Sequence, residues 1–404
     1  MAPPAARAAD SPLTWGNCLR QARERHPDVR AAAESARAAR EAVGSSRATY
    51  LPDVNGSVDY SRPHSSSSGD NYSYGISGSQ RLFPGLLDQP EVAKAKLGLE
   101  SAEANLAAVM TTVRLQIRTA FVGLLNAQAV VTLAEKIADR RRRNVALVQA
   151  RFDAGRENQG SFLRAKAQAA EAELNVRQAR RAIRVAQQEL LRAIGRADFE
   201  AVRADGDFET DTPPASIDAG EWIEKIPPVR KAAADRQAAE LGLTIQRREF
   251  FPTVSLSGNT SRSDGHWPPR STSGGWTSAL SLSVPLFSGG KELHDVESAR
   301  AGMARLEFVE RSTRDLAVFD VQDKWAGWTD AVEGVDVRRE FLDAARLRAE
   351  IAQAQYTSGL ISYQDWDTIE NDLISQERQM LTARRDAALA EAAWDESTGR
   401  GIEP

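Results

Sequence analysis

The sequence predicts an α+β membrane protein. Long antiparallel helical hairpins carry two β-hairpins, and the four strands of one chain are completed into a closed barrel by strands from other copies. Three observations predict it. A proline-free helical pattern runs on for about 65 residues, far beyond the usual globular helix. Two stretches, 48–95 and 249–299, switch from helical periodicity to apolar/polar alternation. The second half of the chain repeats the first, an internal two-fold repeat.

Composition points the same way. The 404 residues would suffice for two or three ordinary domains, yet aromatics are only 6%. Ala, Arg, Glu and Gln dominate the helical stretches, which suits long helices packed through small side chains. A formal net charge of -4 suggests neither nucleic acid nor an acidic ligand as partner. Cys18 is the single cysteine, so a disulfide framework and a cysteine zinc site are excluded. It lies in the amphipathic segment 13–22 with no hydrophobic leader before it, and reads as a packed thiol rather than a lipid acceptor. No window of 18 or more apolar residues stands out, so no transmembrane helix is expected. The opening Met1 to Ala9 shows Ala-x-Ala without the apolar region of a signal peptide, as a trimmed leader would, and 1–12 are expected to be disordered.

Residues 13–25 form a short amphipathic helix that ends before Pro27, because a residue preceding proline is pushed out of the α region. A second helix covers about 28–49 and Pro52 closes it. Val54, Gly56, Val58 and Tyr60 then alternate with Asp53, Asn55, Ser57, Asp59 and Ser61. After a Ser-rich turn at 62–71, Tyr72, Tyr74, Ile76 and Leu82 oppose Ser73, Ser77, Ser79 and Arg81. Pro84 and Gly85 end this hairpin, 51–83. The long helix runs from about Gln89 to Asp153, breaks at 152–155, and is followed by a helix of about 38 residues that ends the first repeat, 13–195. Between 196 and 220 the period fails and acids accumulate (Asp198, Glu200, Asp205, Asp207, Glu209, Asp211), which reads as a linker or small lobe. The second repeat covers 221–399 with its hairpin at 252–287, and 400–404 form a tail.

At an offset of 200, Val29-Arg30 recur as Val229-Arg230, Pro52 as Pro252, Val54 as Val254 and Ser61-Arg62 as Ser261-Arg262. Past the hairpin loop the offset becomes 204, pairing Leu82-Phe83 with Leu286-Phe287, Gly155 with Gly359 and Gly195 with Gly399. The second hairpin sets Val254, Leu256 and Gly258 against Thr253, Ser255, Ser257 and Asn259, then Trp276, Leu280, Leu282 and Val284 against Thr277, Ser281 and Ser283. Runs of about 10–12 residues match a tilted strand crossing a bilayer. A soluble sheet packed on a helix would alternate too, but the narrow Ala and Leu stripes of these helices suit one another and leave four apolar strand faces uncovered. Open edges cannot sit in lipid, so the strands must close with those of other copies. Two copies give 8 strands and a filled barrel, three give 12 and a lumen, and the Ser-, Thr- and Asn-rich faces favour the lumen. Phe83, Phe250, Phe251, Trp276 and Phe287 stand at strand ends, where an interfacial aromatic girdle would lie, and Pro52, Pro84, Pro252 and Pro285 mark the helix–strand junctions.

With the duplicated half, the Tyr50-Leu51-Pro52 and Phe251-Pro252 junctions, Val284-Pro285-Leu286-Phe287-Ser288-Gly289-Gly290 and Tyr356-Thr357-Ser358-Gly359, the chain resembles the TolC-type outer-membrane channel family over residues 13–399. The resemblance implies a homotrimer with a 12-stranded barrel in the outer membrane, a helical tunnel (an α-barrel) through the periplasm and an equatorial lobe near 196–220. It implies a passive exit duct in a tripartite efflux pump, served by a periplasmic adaptor (membrane fusion) protein and an inner-membrane pump of RND, ABC or MFS type. The alternative is the channel of a type I protein secretion system. A different class, a periplasmic coiled-coil adaptor, would leave the hairpins as ordinary β domains.

By position, the resemblance carries the family's gate tyrosine onto Tyr356 and its first ring aspartate onto Asp365. Ile361 stands where the family has its gate arginine, Ser161 where it has the acidic partner, and Thr368 where it has the second ring aspartate, so Asp367 or Arg164 would take over part of the closing network. The turns Ala154-Gly155-Arg156 and Ser358-Gly359-Leu360 match those that meet the adaptor. Three copies of Asp365 around a pore would favour cations; the plainer reading is that Asp365 caps the helix that follows. Arg140 to Arg143 are expected to form a solvated helix face, with an adaptor or neighbour contact as the alternative. Gly289-Gly290-Lys291 is no phosphate loop, since Pro285 and Glu292 occupy positions that need Gly and Ser or Thr. The histidines at 26, 64, 266 and 294 lack metal spacing. No nucleophile, base and orienting group assemble from local signals, so neither enzymatic activity nor a cofactor is expected.

Overall fold

The computed structural model describes residues 12–62, 70–198, 201–208, 210–267 and 273–402. The expectations for 1–11, for His64 and most of the Ser-rich turn, for Glu200 and Glu209, and for the last two residues of the tail fall outside them. The helices are α1 (Trp15–Arg25), α2 (Pro27–Ala48), α3 (Asp88–Asp153), α4 (Gln159–Ala193), α5 (Ala219–Ile223), α6 (Pro227–Arg248), α7 (Lys291–Ser358) and α8 (Tyr363–Ser397). The strands are β1 (Asp53–Ser61), β2 (Asn71–Phe83), β3 (Thr253–Asp264) and β4 (Ser273–Ser283). Corresponding helices have like lengths: 22 residues in α2 and α6, 66 and 68 in α3 and α7, 35 in both α4 and α8. The second hairpin ends earlier than expected, because β4 stops at Ser283 and Val284 to Gly290 form an irregular passage into α7.

The chain divides into two compact units. The first comprises the chain up to Ala32, Leu106–Pro227 and the chain from Asp315 on. Its core joins Cys18, Leu19 and Ala22 of α1 to Ile117, Phe121 and Leu124 of α3, Leu190 and Leu191 of α4, and Ile194 at the end of that helix. Each large apolar side chain there contributes about 1.5–3 kcal/mol by leaving water. Cys18 is fully buried, as a packed thiol should be, and burial pushes its pKa up to about 12. Gly195, at φ +78°, lets the end of α4 approach the α1–α2 corner, where an added Cβ would lie 2.9 Å from the Arg25 carbonyl. The stretch after α4 is more ordered than a linker. Leu13 N–H donates to Arg203 O at 2.8 Å, Asp205 N–H to Leu13 O at 3.0 Å, and the Gln128 amide bonds both backbone groups of Ala204 at 3.0 Å.

One expectation is corrected in this unit's long helix. α3 contains an 18-residue window of mean hydropathy 1.4, long and apolar enough to meet the composition of a membrane span. Phe121, Val122, Leu124 and Leu125, in its apolar stretch, are spent on the core.

The second unit, Ala33–Asn105 with Pro228–Arg314, holds the sheet. The four strands form an antiparallel meander in the order β1-β2-β3-β4. Among its helices, Arg40 pairs with Glu103 at 3.0 Å, the Ser101 hydroxyl donates to Asp235 at 2.6 Å, and Arg236 pairs with Glu310 at 2.6 Å.

Candidate functional site

Register, not only alternation, decides which side chains share a face of the sheet, since directly paired residues point the same way. Val54 pairs Gly78, which pairs Gly258; Val58 pairs Tyr74; Ile76 pairs Thr260, which pairs Trp276; Gln80 pairs Leu256, which pairs Leu280; Val254 pairs Leu282. These build one apolar face. The other is a continuous field of small polar residues, among them Asn55, Ser57, Ser77, Ser79, Ser255, Ser257, Asn259, Thr277, Ser281 and Ser283. A bulge between Arg81 and Phe83 sets Phe83, not Leu82, opposite Val254. Leu82 is thereby displaced from the register in which alternation put it.

The apolar face is bare. Val58 is 71% exposed and Trp276 80%, and β1 is exposed along its whole length. Phe83, Phe250, Phe251 and Phe287 are exposed as well, Phe287 to 87%. Pro52 and Pro252 stand one residue before β1 and β3, Pro84 one residue after β2, and Pro285 two after β4.

The turns joining α3 to α4 and α7 to α8, both in the first unit, are built alike. Gly155 (φ +69°) and Gly359 (φ +84°) supply the left-handed residue that lets each helix stop. Arg156 N–H donates to Arg151 O and Leu360 N–H to Gln355 O, each at 2.8 Å. Ala154, Gly155, Arg156, Ser358, Gly359 and Leu360 are all exposed. Asn158 then caps α4 by accepting from Ser161 N–H at 2.9 Å, and Ser362 caps α8 by accepting from Asp365 N–H at 3.1 Å. The plainer reading of Asp365 needs revision: Ser362 is the cap, and its hydroxyl donates to the Asp365 carboxylate at 2.7 Å. Asp365 is exposed, and so is Thr368, whose hydroxyl bonds Gln364 O at 2.9 Å.

Behind these turns is an aromatic knot. Tyr356 is fully buried, stacks on Trp366 with ring centroids 4.5 Å apart, and meets Tyr363 edge-on. Its hydroxyl donates to Glu157 Oε2 at 2.9 Å, four residues before Ser161. Burial and the neighbouring Glu157 carboxylate both push the Tyr356 phenol pKa up. Burial does the same to Tyr363, up to about 12. Arg151 lies over the Tyr356 ring at 4.6 Å and donates to Tyr356 O at 2.7 Å and Thr357 O at 3.2 Å, satisfying carbonyls at the end of α7.

Asp367, on the next turn of α8, is 2% exposed and sits at the centre of a polar cluster. Arg141 of α3 approaches it at 3.1 Å, Arg164 of α4 at 3.1 Å, and Gln168 Nε2 donates to both its oxygens at 2.9 and 3.0 Å. Tyr363 Oη joins through Gln168 at 3.2 Å. One turn further, Arg140 lies 3.4 Å from Glu370 and 2.8 Å from Glu377. Burial pushes the Glu370 pKa up against the opposing pull of Arg140.

The expectation of a solvated face over Arg140 to Arg143 is therefore corrected for half of it. Arg140 and Arg141 turn inward because α8 presents three carboxylates to them, while Arg142 remains exposed beside Asp139. Sequence reasoning missed Glu157, Arg151, Gln168, Arg141 and Trp366. A basic run and Asp367, Glu370 and Glu377 on distant helices were the available signal, and only tertiary contact pairs them. Among the described residues, no group of three or more His, Cys, Asp or Glu could hold a metal.

Known proteins share the fold of this chain. The profile described as outer membrane efflux protein matches residues 18–196 and 220–400. The outer membrane efflux protein BepC of Brucella suis is 20% identical over 363 residues, covering 89% of this chain and 79% of that protein. Among solved structures, the open state of the Neisseria gonorrhoeae MtrE outer membrane channel superposes with a TM-score of 0.84 at 20% identity, covering 96% of this chain and 89% of that one. The Vibrio cholerae outer membrane protein VceC gives 0.82 at 20% identity, covering 96% and 97%. The chain belongs to the outer membrane efflux protein family, and its place is the outer membrane of Gram-negative bacteria.

Proposed function

We propose that the chain is one third of a passive exit duct: three copies close their sheets into a 12-stranded barrel, and the helical hairpins of the internal repeat line a tunnel. One observation carries this reading. The sheet has a bare apolar face, a polar face and two open edges, β1 and β4, within a single chain. In lipid both edges must be paired, and a closed barrel of several chains pairs them while turning the polar face to a lumen. Helices of the first unit also leave large apolar side chains exposed, including Leu163, Leu174 and Val185 at a spacing of 11 residues on α4, which neighbouring protomers would cover.

On this reading the duct serves small-molecule efflux. A periplasmic adaptor docks at the turns around Gly155 and Gly359, and an inner-membrane pump of RND, ABC or MFS type supplies the energy. A type I secretion channel would share the same architecture. Asp365, with Thr368 one turn on, faces the mouth, and Tyr356, Glu157, Ser161 and Asp367 hold the helices that form it.

The test is extraction and conductance. The protein should need detergent, run at three times the chain mass and open ion-conducting pores in planar bilayers. A monomer soluble without detergent would refute the duct.

A further inference from the structure

We infer that Arg262 forms a binding site for the phosphate of an anionic membrane-lipid headgroup, at the end of the apolar face remote from the helices. The inference rests on the membrane reading of the sheet. Arg262 pairs in register with Tyr74 on one side and Gly274 on the other, which puts it on the face that carries Ile76, Trp276 and Leu280. It is exposed, and no carboxylate pairs with it among the described residues. The nearby acids are otherwise engaged. Asp70 accepts from the Tyr60 hydroxyl at 3.3 Å and pairs with Arg62 at 3.4 Å, and Asp264 lies 3.6 Å from His266.

The surface around Arg262 is shaped for it. A Cβ on Gly274 would stand 2.6 Å from Arg262 Cγ, so the arginine stem lies across β4 in space that only glycine leaves open. Tyr60 and Tyr72 meet as tilted rings with centroids 5.0 Å apart, Tyr72 and Trp267 likewise at 5.8 Å, and Trp276 pairs with Thr260 one step towards the bilayer. Aromatic rings of this kind settle at the headgroup level, where an arginine with its stem on apolar surface holds its guanidinium in reach of lipid phosphate. A guanidinium offers a fork of donors matched to phosphate oxygens. An unpaired arginine on the lipid side of a strand is costly near the bilayer centre and nearly free at this depth.

The test uses the full chain extracted in neutral detergent. Native mass spectrometry reads binding of phosphatidylglycerol, of lipid A and of a galactolipid without phosphate. Wild type should retain the two phosphorylated lipids over the galactolipid. Arg262→Gln should weaken both about fivefold, Gly274→Ala should weaken them by displacing the stem, and Arg262→Lys should keep most of the binding. Arg81→Gln, on the polar side of the sheet, should change nothing. Unchanged binding in Arg262→Gln, or an equal loss for the galactolipid, overturns the inference, as does competition by millimolar inorganic phosphate as strong as by the lipids. Quenching of Trp276 fluorescence by brominated lipid separates the two levels. Quenching with unchanged Arg262→Gln binding sinks only the phosphate site, and absence of quenching sinks the membrane reading together with it.

Discussion

Replacing Asp367 tests whether the mouth helices are held by one buried carboxylate. Asp367→Ala leaves the Arg141 guanidinium, whose side chain is 7% exposed, without its ionic partner. Arg141 keeps only Asn371 Oδ1 at 2.6 Å and Gln168 Oε1 at 3.3 Å. Breaking a buried pair from one side costs about 3–5 kcal/mol, most of it the desolvation of the charge left behind. Arg164 is different. Its side chain is 59% exposed, so it returns to water, and Arg164→Ala should cost at most about 1 kcal/mol. Hydrogen exchange of the first turns of α8 in detergent-extracted protein reads both. Asp367→Ala should speed exchange there by roughly 10²–10⁴-fold and Arg164→Ala by less than about tenfold. Replacing Arg141 and Asp367 together with Met and Leu should restore most of the protection, because no buried charge then stands alone. A change below tenfold in Asp367→Ala, or an Arg164→Ala effect as large as that of Asp367→Ala, would refute the reasoning.

Two further outcomes follow from the same region. Burial raises the Glu370 pKa in the folded state, so the folded protein binds the proton more tightly than the unfolded chain. Stability should fall as pH rises from the ordinary glutamate range through the raised folded value, and Glu370→Gln should flatten that slope in a pH series of thermal unfolding. If three exposed Asp365 side chains ring the pore, Asp365→Asn should weaken block by trivalent cations in single-channel recordings, while the Ser362 cap keeps α8 intact; unchanged block removes the ring.

The sequence alone announced the long helices, since 3.6-residue periodicity and the placement of Gly and Pro are local properties. The turn at Gly155 and its counterpart at Gly359 were legible for that reason, and both adopt the left-handed conformation glycine allows. The polar and apolar faces were legible from a period of two. What alternation could not carry was the bulge between Arg81 and Phe83, because an extra residue in one strand shows only against its partner.

The candidate site divides in the same way. Tyr356 and Asp365 were singled out by resemblance to the channel family, at turns that are themselves local. Glu157 as the partner of Tyr356, and Arg141, Arg164 and Gln168 around Asp367, join residues about 200 positions apart. Charges on separate helices are indistinguishable from solvated ones until packing chooses their neighbours. The sequence by itself thus determined the long helices, the glycine turns between them and the alternation of the two sheet faces, which depend on short-range spacing. Only the tertiary structure decided which arginines of the basic run turn inward and which carboxylate they clasp, because burial and pairing depend on contacts that spacing does not encode.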